Sequence, residues 1–190
     1  MGFSKQDLEA ARGKQVDDLA GPGLKLLFAG INPGLWTAAA NAHFARPGNR
    51  FYPALLQAGI IDRPIDASDG MSEADRRYLI SRGIGITNLV RRATARADEL
   101  TDEELRDGGE RIARFVAAYR PKVVAFAGIT SYRKAFRRPR AVVGEQPDPL
   151  AGAAVWVVPN PSGLNAHETV PSLAQAYAAA ARAAGLVPAR

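Results

Sequence analysis

Two asparagine-proline turns are the parts of this chain best placed to do chemistry. The first, Gly-Ile-Asn-Pro-Gly at residues 30–34, ends an apolar run, and the second, Asn-Pro-Ser-Gly-Leu-Asn at residues 160–165, follows another. A buried strand that stops in such a turn delivers one polar side chain to its carboxyl end, where open α/β sheets build their sites. We therefore expect Asn32 and Asn160 to border one shared pocket.

The amide groups of these turns limit the chemistry that the pocket can perform. Asparagine offers an acceptor and two donors but cannot take a proton at neutral pH. The chain has no cysteine, only two histidines and no carboxylate cluster with metal-ligand spacing, which argues against a metallohydrolase. It also lacks the glycine-rich patterns that cradle phosphates. We expect no cofactor and no metal, and a site that positions a nucleophile more than it activates one.

Strands that alternate with helices must position these turns. Each strand is a continuous apolar run, which is typical of a parallel sheet covered on both faces. We predict an α/β fold, a three-layer α/β/α sandwich with a short parallel sheet of about four strands in the order 2-1-3-4. The predicted strands, whose carboxyl ends share one edge, are at about 24–29, 84–90, 123–127 and 154–158.

The helix signals differ in strength along the chain. Thr101 and Glu104 form a capping box for a helix to about Tyr119, and Ser172 is predicted to cap a final helix to about Ala184. We expect one domain over residues 1–190, with residues 1–20 as an N-terminal appendage. The remaining predicted segments are helices near 49–57, near 72–81 and after 128, and loops at 35–50 and 141–152.

The charge of the chain favours a polyanionic partner. Lysine and arginine number 25 against 19 acidic residues, which gives a formal charge of +6. A basic run of Arg137, Arg138 and Arg140 either faces solvent or contacts phosphate. No stretch reaches the length of a membrane span, so we expect a protein without a membrane partner.

The two turns, taken in this order, resemble the motifs of the mismatch-specific uracil/thymine DNA glycosylases. Residues 30–34 are similar to the first motif of that family and residues 160–164 to the second, and the segments 44–52 and 94–100 are similar to segments at matching spacing between them. The resemblance covers roughly residues 21–180. It implies a uracil-DNA glycosylase-like fold and a partner that is double-stranded DNA with a mismatched or damaged pyrimidine.

The resemblance also implies an activity in DNA base-excision repair. Uracil, or thymine or another altered pyrimidine, especially opposite guanine, would be flipped out of the duplex because its reacting carbon cannot be reached within the stack. Hydrolysis of the N-glycosidic bond then leaves an abasic site. A cytoplasmic monomer, associated with the nucleoid through DNA, is the expected form.

Site residues follow from the resemblance position by position. Asn32 falls where the catalytic asparagine holds the attacking water, and Phe44 where an aromatic ring stacks on the base. The other implied residues are the base-pocket residues Gly30, Ile31, Asn88 and Asn160, and the wedge residues Ser162, Gly163, Leu164 and Asn165. Because the first turn carries Asn where related enzymes have Asp, we predict slow chemistry that depends on the leaving group.

Departures from the family pattern and the lysine positions add two expectations. Asn165-Ala166-His167 stands where relatives often have an arginine, Trp36-Thr37 follows the first motif where some have small residues, and position 88 varies between Lys and Asn. These three departures affect how strongly the wedge residues insert into the duplex and which bases the protein prefers. No lysine falls at the expected pocket, which predicts a monofunctional enzyme without lyase activity.

The sequence also allows other interpretations of these residues. Asn32 could be a structural turn residue, Phe44 a core residue, Leu164 a buried loop anchor and Asn88 a strand-end cap. Histidines 43 and 167 are expected at the surface or in hydrogen bonds. The alternative functions are a lesion-binding or mismatch-binding module with negligible turnover and a nucleotide-binding enzyme that uses the same edge of the sheet.

Overall fold

The computed structural model describes residues 2–189 and places a five-stranded sheet at the centre of the chain. The strand order is β2-β1-β3-β5-β4, and the first four strands in this order are parallel. The strands are β1 (Leu26–Gly30), β2 (Ile84–Asn88), β3 (Val123–Ala127), β4 (Gly144–Glu145) and β5 (Ala154–Val158). The predicted order of the four parallel strands is confirmed.

Helices cover both faces of this sheet, which completes the predicted three layers. The helices are α1 (Lys5–Ala10), α2 (Leu35–Ala40), α3 (Phe51–Gln57), α4 (Glu73–Ser81), α5 (Asp102–Tyr119), α6 (Ile129–Phe136) and α7 (Val170–Ala183). Alternate residues of a strand point to opposite faces. Phe28 therefore packs with Phe51 of α3 and Tyr177 of α7, while Leu27 packs with Ile112 of α5.

Three details differ from the sequence prediction. The segment 35–50 begins with α2, and the loop predicted at 141–152 contains β4, which pairs antiparallel with β5. Thr169, rather than Ser172, caps α7: its Oγ1 accepts from the Ser172 N–H at 3.2 Å. Pro171 lies in the first turn of that helix, where its missing N–H group costs nothing.

The N-terminal segment is hydrogen-bonded to the rest of the domain at two places. Leu19 pairs antiparallel with Ile86 of β2, through N–O distances of 2.9 and 2.8 Å, and it is 1% exposed. Further back, Gly13 donates to the Ala93 carbonyl at 2.9 Å, and Ala93 donates to the Lys14 carbonyl at the same distance. These bonds attach the segment to β2 and to the loop that follows it. In residues 2–189 no helix has the length and apolar character that crossing a membrane requires.

Candidate functional site

A cavity of about 310 Å³ opens at the carboxyl ends of β1, β2, β3 and β5. Both asparagine-proline turns border it, as the topology of the sheet requires. Of the predicted site residues, Gly163 and Asn165 do not line the cavity, although they lie in the same loop as Leu164. The predicted residues that line it are Gly30, Ile31, Asn32, Phe44, Asn88, Asn160, Ser162 and Leu164.

Asn32 is held by its amide nitrogen. Its Nδ2 donates to the Arg92 carbonyl at 3.0 Å and to the Thr94 hydroxyl at 2.8 Å. Because both partners accept, these bonds fix which end of the amide is nitrogen. The Oδ1 atom makes no hydrogen bond with any residue in the described range 2–189, and it remains able to accept one from a bound water.

Arg92 and Thr94 are themselves anchored, so Asn32 rests on a fixed frame. The Thr94 hydroxyl donates to the Arg96 carbonyl at 2.7 Å, and Thr94 is 1% exposed. The Arg92 guanidinium contacts Glu104, at 3.1 Å from Nη2 to Oε2, in the capping box of α5. This guanidinium, together with hydrogen bonds from Thr101, lowers the pKa of Glu104 to about 2.

Phe44 fits both interpretations of this residue, as a core residue and as a surface on which a base stacks. Its ring stacks on Phe51 with centroids 4.1 Å apart and planes 25° apart, which fixes its orientation. It also lines the cavity, with a backbone φ of 55° that a bulky residue rarely adopts. A flat apolar surface in a cavity is suited to stacking against an aromatic ring.

Asn88, the last residue of β2, lies at the bottom of the cavity and is 7% exposed. Its Nδ2 lies 3.3 Å from Nδ1 of His43, and the Nε2 atom of that histidine lies 2.8 Å from the Asp17 carbonyl oxygen. His43 is therefore buried and hydrogen-bonded, whereas the sequence also allowed a surface position for it. Burial lowers the pKa of His43, so the ring is neutral at pH 7.

The loop at 160–165 is a series of side-chain turns. Asn160 Oδ1 accepts from the Ser162 N–H at 2.9 Å, which leaves the Asn160 amide nitrogen as the donor that it can offer the cavity. The Ser162 hydroxyl accepts from the Leu164 N–H at 3.2 Å. Leu164 is 74% exposed, which excludes a buried anchor and places an apolar side chain at the tip of the loop.

Arg50 ties this loop to the body of the domain. Its Nη1 donates to the Asn165 carbonyl at 2.9 Å, and its backbone N–H donates to the Pro161 carbonyl at 2.9 Å. A Cβ atom at Gly163 would lie 2.6 Å from the Gly48 carbonyl oxygen, so the loop approaches the backbone too closely for any side chain at this position.

The charged side chains among the described residues that line the cavity are two arginines, one of which, Arg96, is paired with Asp98. Among the described residues that line it there is no carboxylate and no lysine, whereas the arginines Arg46 and Arg96 lie at its wall. Residues 2–189 contain no group of three or more His, Cys, Asp or Glu side chains that could hold a metal ion. The chemistry on offer is therefore amide and hydroxyl hydrogen bonding beside a stacking ring.

The lining residues that were not assigned a role from the sequence include Thr94, His43 and Arg46. Thr94 and Arg46 lie within the two segments between the motifs, and that position was the available signal. His43 precedes Phe44, but only the fold shows that it reaches Asn88 and Asp17.

Larger hollows elsewhere lack this chemistry. One of about 530 Å³ lies between α3 and α7 and is lined mainly by alanine, proline and glutamine. Another, of about 600 Å³, lies between α5 and α6 with charges of both signs. We take the smaller cavity at the sheet edge as the site because aromatic, amide and hydroxyl groups converge there.

Two comparisons with known proteins bear on the family and on the fold of this chain. Residues 18–182 match the family model described as the uracil DNA glycosylase superfamily. The fold also matches a solution NMR structure from Methanosarcina acetivorans that is described as a candidate uracil DNA glycosylase, with a TM-score of 0.60. That match has 16% sequence identity and covers 90% of this chain and 98% of the other, so it shows a shared fold.

Proposed function

Because the chain belongs to the uracil DNA glycosylase superfamily, we propose that it removes uracil from mismatched DNA and leaves an abasic site. Thymine and other altered pyrimidines, especially opposite guanine, are the further candidate substrates. The main support for this proposal is the hydrogen bonding of the Asn32 amide group. Its nitrogen is committed to Arg92 and Thr94, so its oxygen is the atom that can hold a water in the cavity.

The base would lie on Phe44 with its polar edge toward Asn88 and Asn160 and with the Ile31 backbone beside it. The Phe44 ring is already fixed by Phe51, so stacking a base on it costs little further ordering. Leu164, exposed at the loop tip, is suited to fill the space that the flipped base leaves in the duplex. One chain supplies all of these groups, which supports action as a monomer.

Bond cleavage would precede water attack in this site. The C1′–N1 bond breaks and its electron pair leaves with the base; the water oxygen then bonds to C1′ and its proton passes to solvent. Asn32 cannot take that proton, no described residue lining the cavity is a carboxylate, and His43 Nδ1 is engaged by Asn88. The rate should therefore rise as the base becomes a better leaving group.

The decisive experiment is a glycosylase assay on duplexes with one uracil opposite guanine or adenine, followed by alkali. We expect alkali-dependent cleavage by the native protein and a loss of about 100-fold or more in Asn32→Ala. Asn41→Gly is the matched control, because Asn41 is exposed and its φ of 47° suits glycine. Tight mismatch binding without cleavage, even with excess protein, would instead favour a lesion-binding module.

A monofunctional reaction is part of the proposal. Lyase chemistry needs an amine nucleophile in the cavity, and no lysine lines it in the described chain; Lys134, on α6, pairs with Asp102 at 3.0 Å. We expect no covalent adduct when the reaction is treated with borohydride. A trapped protein–DNA product would refute this part and leave base excision intact.

A further inference from the structure

An exposed pair of valines, Val142 and Val143, precedes the short edge strand β4. They are 67% and 49% exposed, and among the large apolar side chains of residues 2–189 only that of Leu164, at 74%, is more exposed than Val142. Single exposed apolar residues are ordinary on a protein surface, whereas adjacent ones begin the kind of contiguous apolar patch that marks an interaction site.

The backbone that carries this pair is held in place by two side chains. Arg133 of α6 donates to the Ala141 carbonyl from Nε at 2.9 Å and from Nη2 at 2.7 Å. Gln146 donates from Nε2 to the Val142 carbonyl at 2.7 Å and to the Gly144 carbonyl at 3.0 Å. The valines are therefore presented to solvent by an ordered stretch of chain. We call residues 140–143 the flanking segment.

The register of β4 places the flanking segment at the edge of the sheet that holds the cavity. Gly144 pairs with Val157 and Glu145 with Trp156 in an antiparallel ladder, so the chain enters β4 at the carboxyl end of β5. The loop at 160–165, which carries Leu164, leaves β5 from the same end. The two most exposed apolar parts of the described chain thus lie at one edge, beside the site.

The sheet order gives the separation between the flanking segment and the catalytic turn. Asn32 follows β1, and β4 lies three strands away from β1, beyond β3 and β5. Neighbouring strands are about 4.8 Å apart, so the separation is about 14 Å. A DNA strand advances about 3.4 Å per nucleotide, so this distance corresponds to about four base pairs of duplex.

The charge around the valines is positive on balance. Residues 133–148 hold five basic side chains and two acidic ones. Arg138 is paired with Asp148 at 2.7 Å, whereas Arg140 is exposed and belongs to no ion pair within residues 2–189. Positive charge next to apolar surface matches the phosphates and deoxyribose rings that alternate along a DNA strand.

A second protein chain fits this edge less well than DNA does. Strand β4 has two residues, and Pro147, which has no backbone donor, follows shortly after it, so the edge offers few hydrogen bonds to another strand. Two valines would also bury far less than the roughly 1,000 Å² that a stable interface needs. A duplex that enters the cavity, by contrast, already runs along this edge of the sheet.

We propose that the flanking segment contacts duplex DNA about four base pairs from the flipped nucleotide. Val142 and Val143 pack on deoxyribose rings, and Arg140 pairs with a phosphate. The segment holds this part of the duplex in place while the loop at 160–165 enters it. That the partner is duplex DNA rests on the proposed function.

A duplex with a tetrahydrofuran abasic analogue opposite guanine tests this contact without turnover. Replacing both valines, Val142→Ser and Val143→Ser, should raise the Kd about fivefold, because serine removes the apolar contact. Tyr119→Ser is the control: Tyr119 is 43% exposed at the end of α5, at the opposite edge of the sheet, and this variant should bind like the native protein. Thermal unfolding of each variant reports whether the fold is kept.

Single methylphosphonate substitutions locate the phosphate that Arg140 contacts. The native protein should lose affinity when an uncharged methylphosphonate stands about four nucleotides from the analogue on one side. Arg140→Met should show no such loss at that position, and the slope of log Kd against log salt concentration should fall by about 0.9, the value for one phosphate contact. The double valine variant should keep the native slope.

Native affinity in the double valine variant, or an unchanged methylphosphonate profile in Arg140→Met, would overturn the inference. So would a dimer of the native protein in sedimentation that the double valine variant loses while its DNA affinity stays native, because the surface would then join two copies of this chain. Cleavage of uracil duplexes is measured in parallel. Weakened binding in these variants of a protein that cleaves nothing would refute the proposed enzyme and leave the DNA contact standing.

Discussion

At the scale of single residues, the site depends on amides whose orientation other residues determine. Asn32 turns its oxygen to the cavity because Arg92 and Thr94 accept from its nitrogen, and Asn88 does so because His43 accepts from its nitrogen. An amide that could rotate by 180° would present donor and acceptor with similar ease. The surrounding hydrogen bonds therefore convert two neutral side chains into directional acceptors.

Thr94→Val tests this dependence at Asn32. Valine keeps the shape of threonine but removes the acceptor, at a cost of about 1 kcal/mol of positioning, which corresponds to roughly a fivefold slower single-turnover excision of uracil. Affinity for the uracil duplex should change little, because Thr94 is 1% exposed and its hydroxyl is engaged by Asn32 and Arg96. Thr94→Ser keeps the hydroxyl and should stay close to the native rate. A native rate in Thr94→Val would contradict the proposed frame.

At the scale of elements, the loop at 160–165 works as a unit because Arg50 holds it from outside. Arg50 precedes α3, and its guanidinium satisfies the Asn165 carbonyl while its backbone satisfies the Pro161 carbonyl. With Leu164 exposed at the tip, a loop that is already ordered loses less entropy when it enters DNA.

Arg50→Met should therefore weaken binding of a duplex that contains an abasic analogue. The methionine fills similar space but makes no hydrogen bond, and we expect the Kd to rise roughly tenfold. Arg77→Met is the matched control: it removes the same charge from α4, where Arg77 contacts Glu73 and is exposed. Equal losses in the two variants would show that charge, and not the ordering of the loop, sets the affinity.

Local sequence signals predicted most of the elements but not all of them. The apolar runs and the Thr101–Glu104 capping box correspond to strands and to α5, since those signals are contained within a few residues. Helix α2 begins at Leu35 after Gly34, which offers no side-chain cap, and β4 has only two residues, so neither has a strong sequence pattern. Within the site, the contact of Asn32 with Thr94 spans 62 residues and depends on how the sheet assembles.

At the scale of the whole molecule, the N-terminal segment contacts both the central sheet and a residue of the candidate site. It pairs with β2 through Leu19, and through Asp17 it covers His43, which is 3% exposed. A histidine kept neutral by burial opposes protonation of the folded state. Folding and acidification should therefore be coupled through this one ring.

The sign of that coupling gives a prediction for stability. The pKa of His43 is lowered in the folded protein from its ordinary value of 6.5, so above that pH the ring is neutral in both states and adds no pH dependence. As the pH falls below 6.5, the unfolded chain takes up a proton that the folded protein resists. The free energy of unfolding should decrease by up to about 1.4 kcal/mol per pH unit.

Urea unfolding between about pH 8 and pH 5.5, above the ordinary carboxylate range, would measure this effect. His43→Asn has no ionisable group at this position, so its free energy of unfolding should fall less steeply with acidification than that of the native protein. Parallel curves for the two proteins would mean that the buried ring does not resist protonation. If the ring of His43 did become protonated, its Nδ1 would carry a hydrogen and could no longer accept from the Asn88 amide nitrogen.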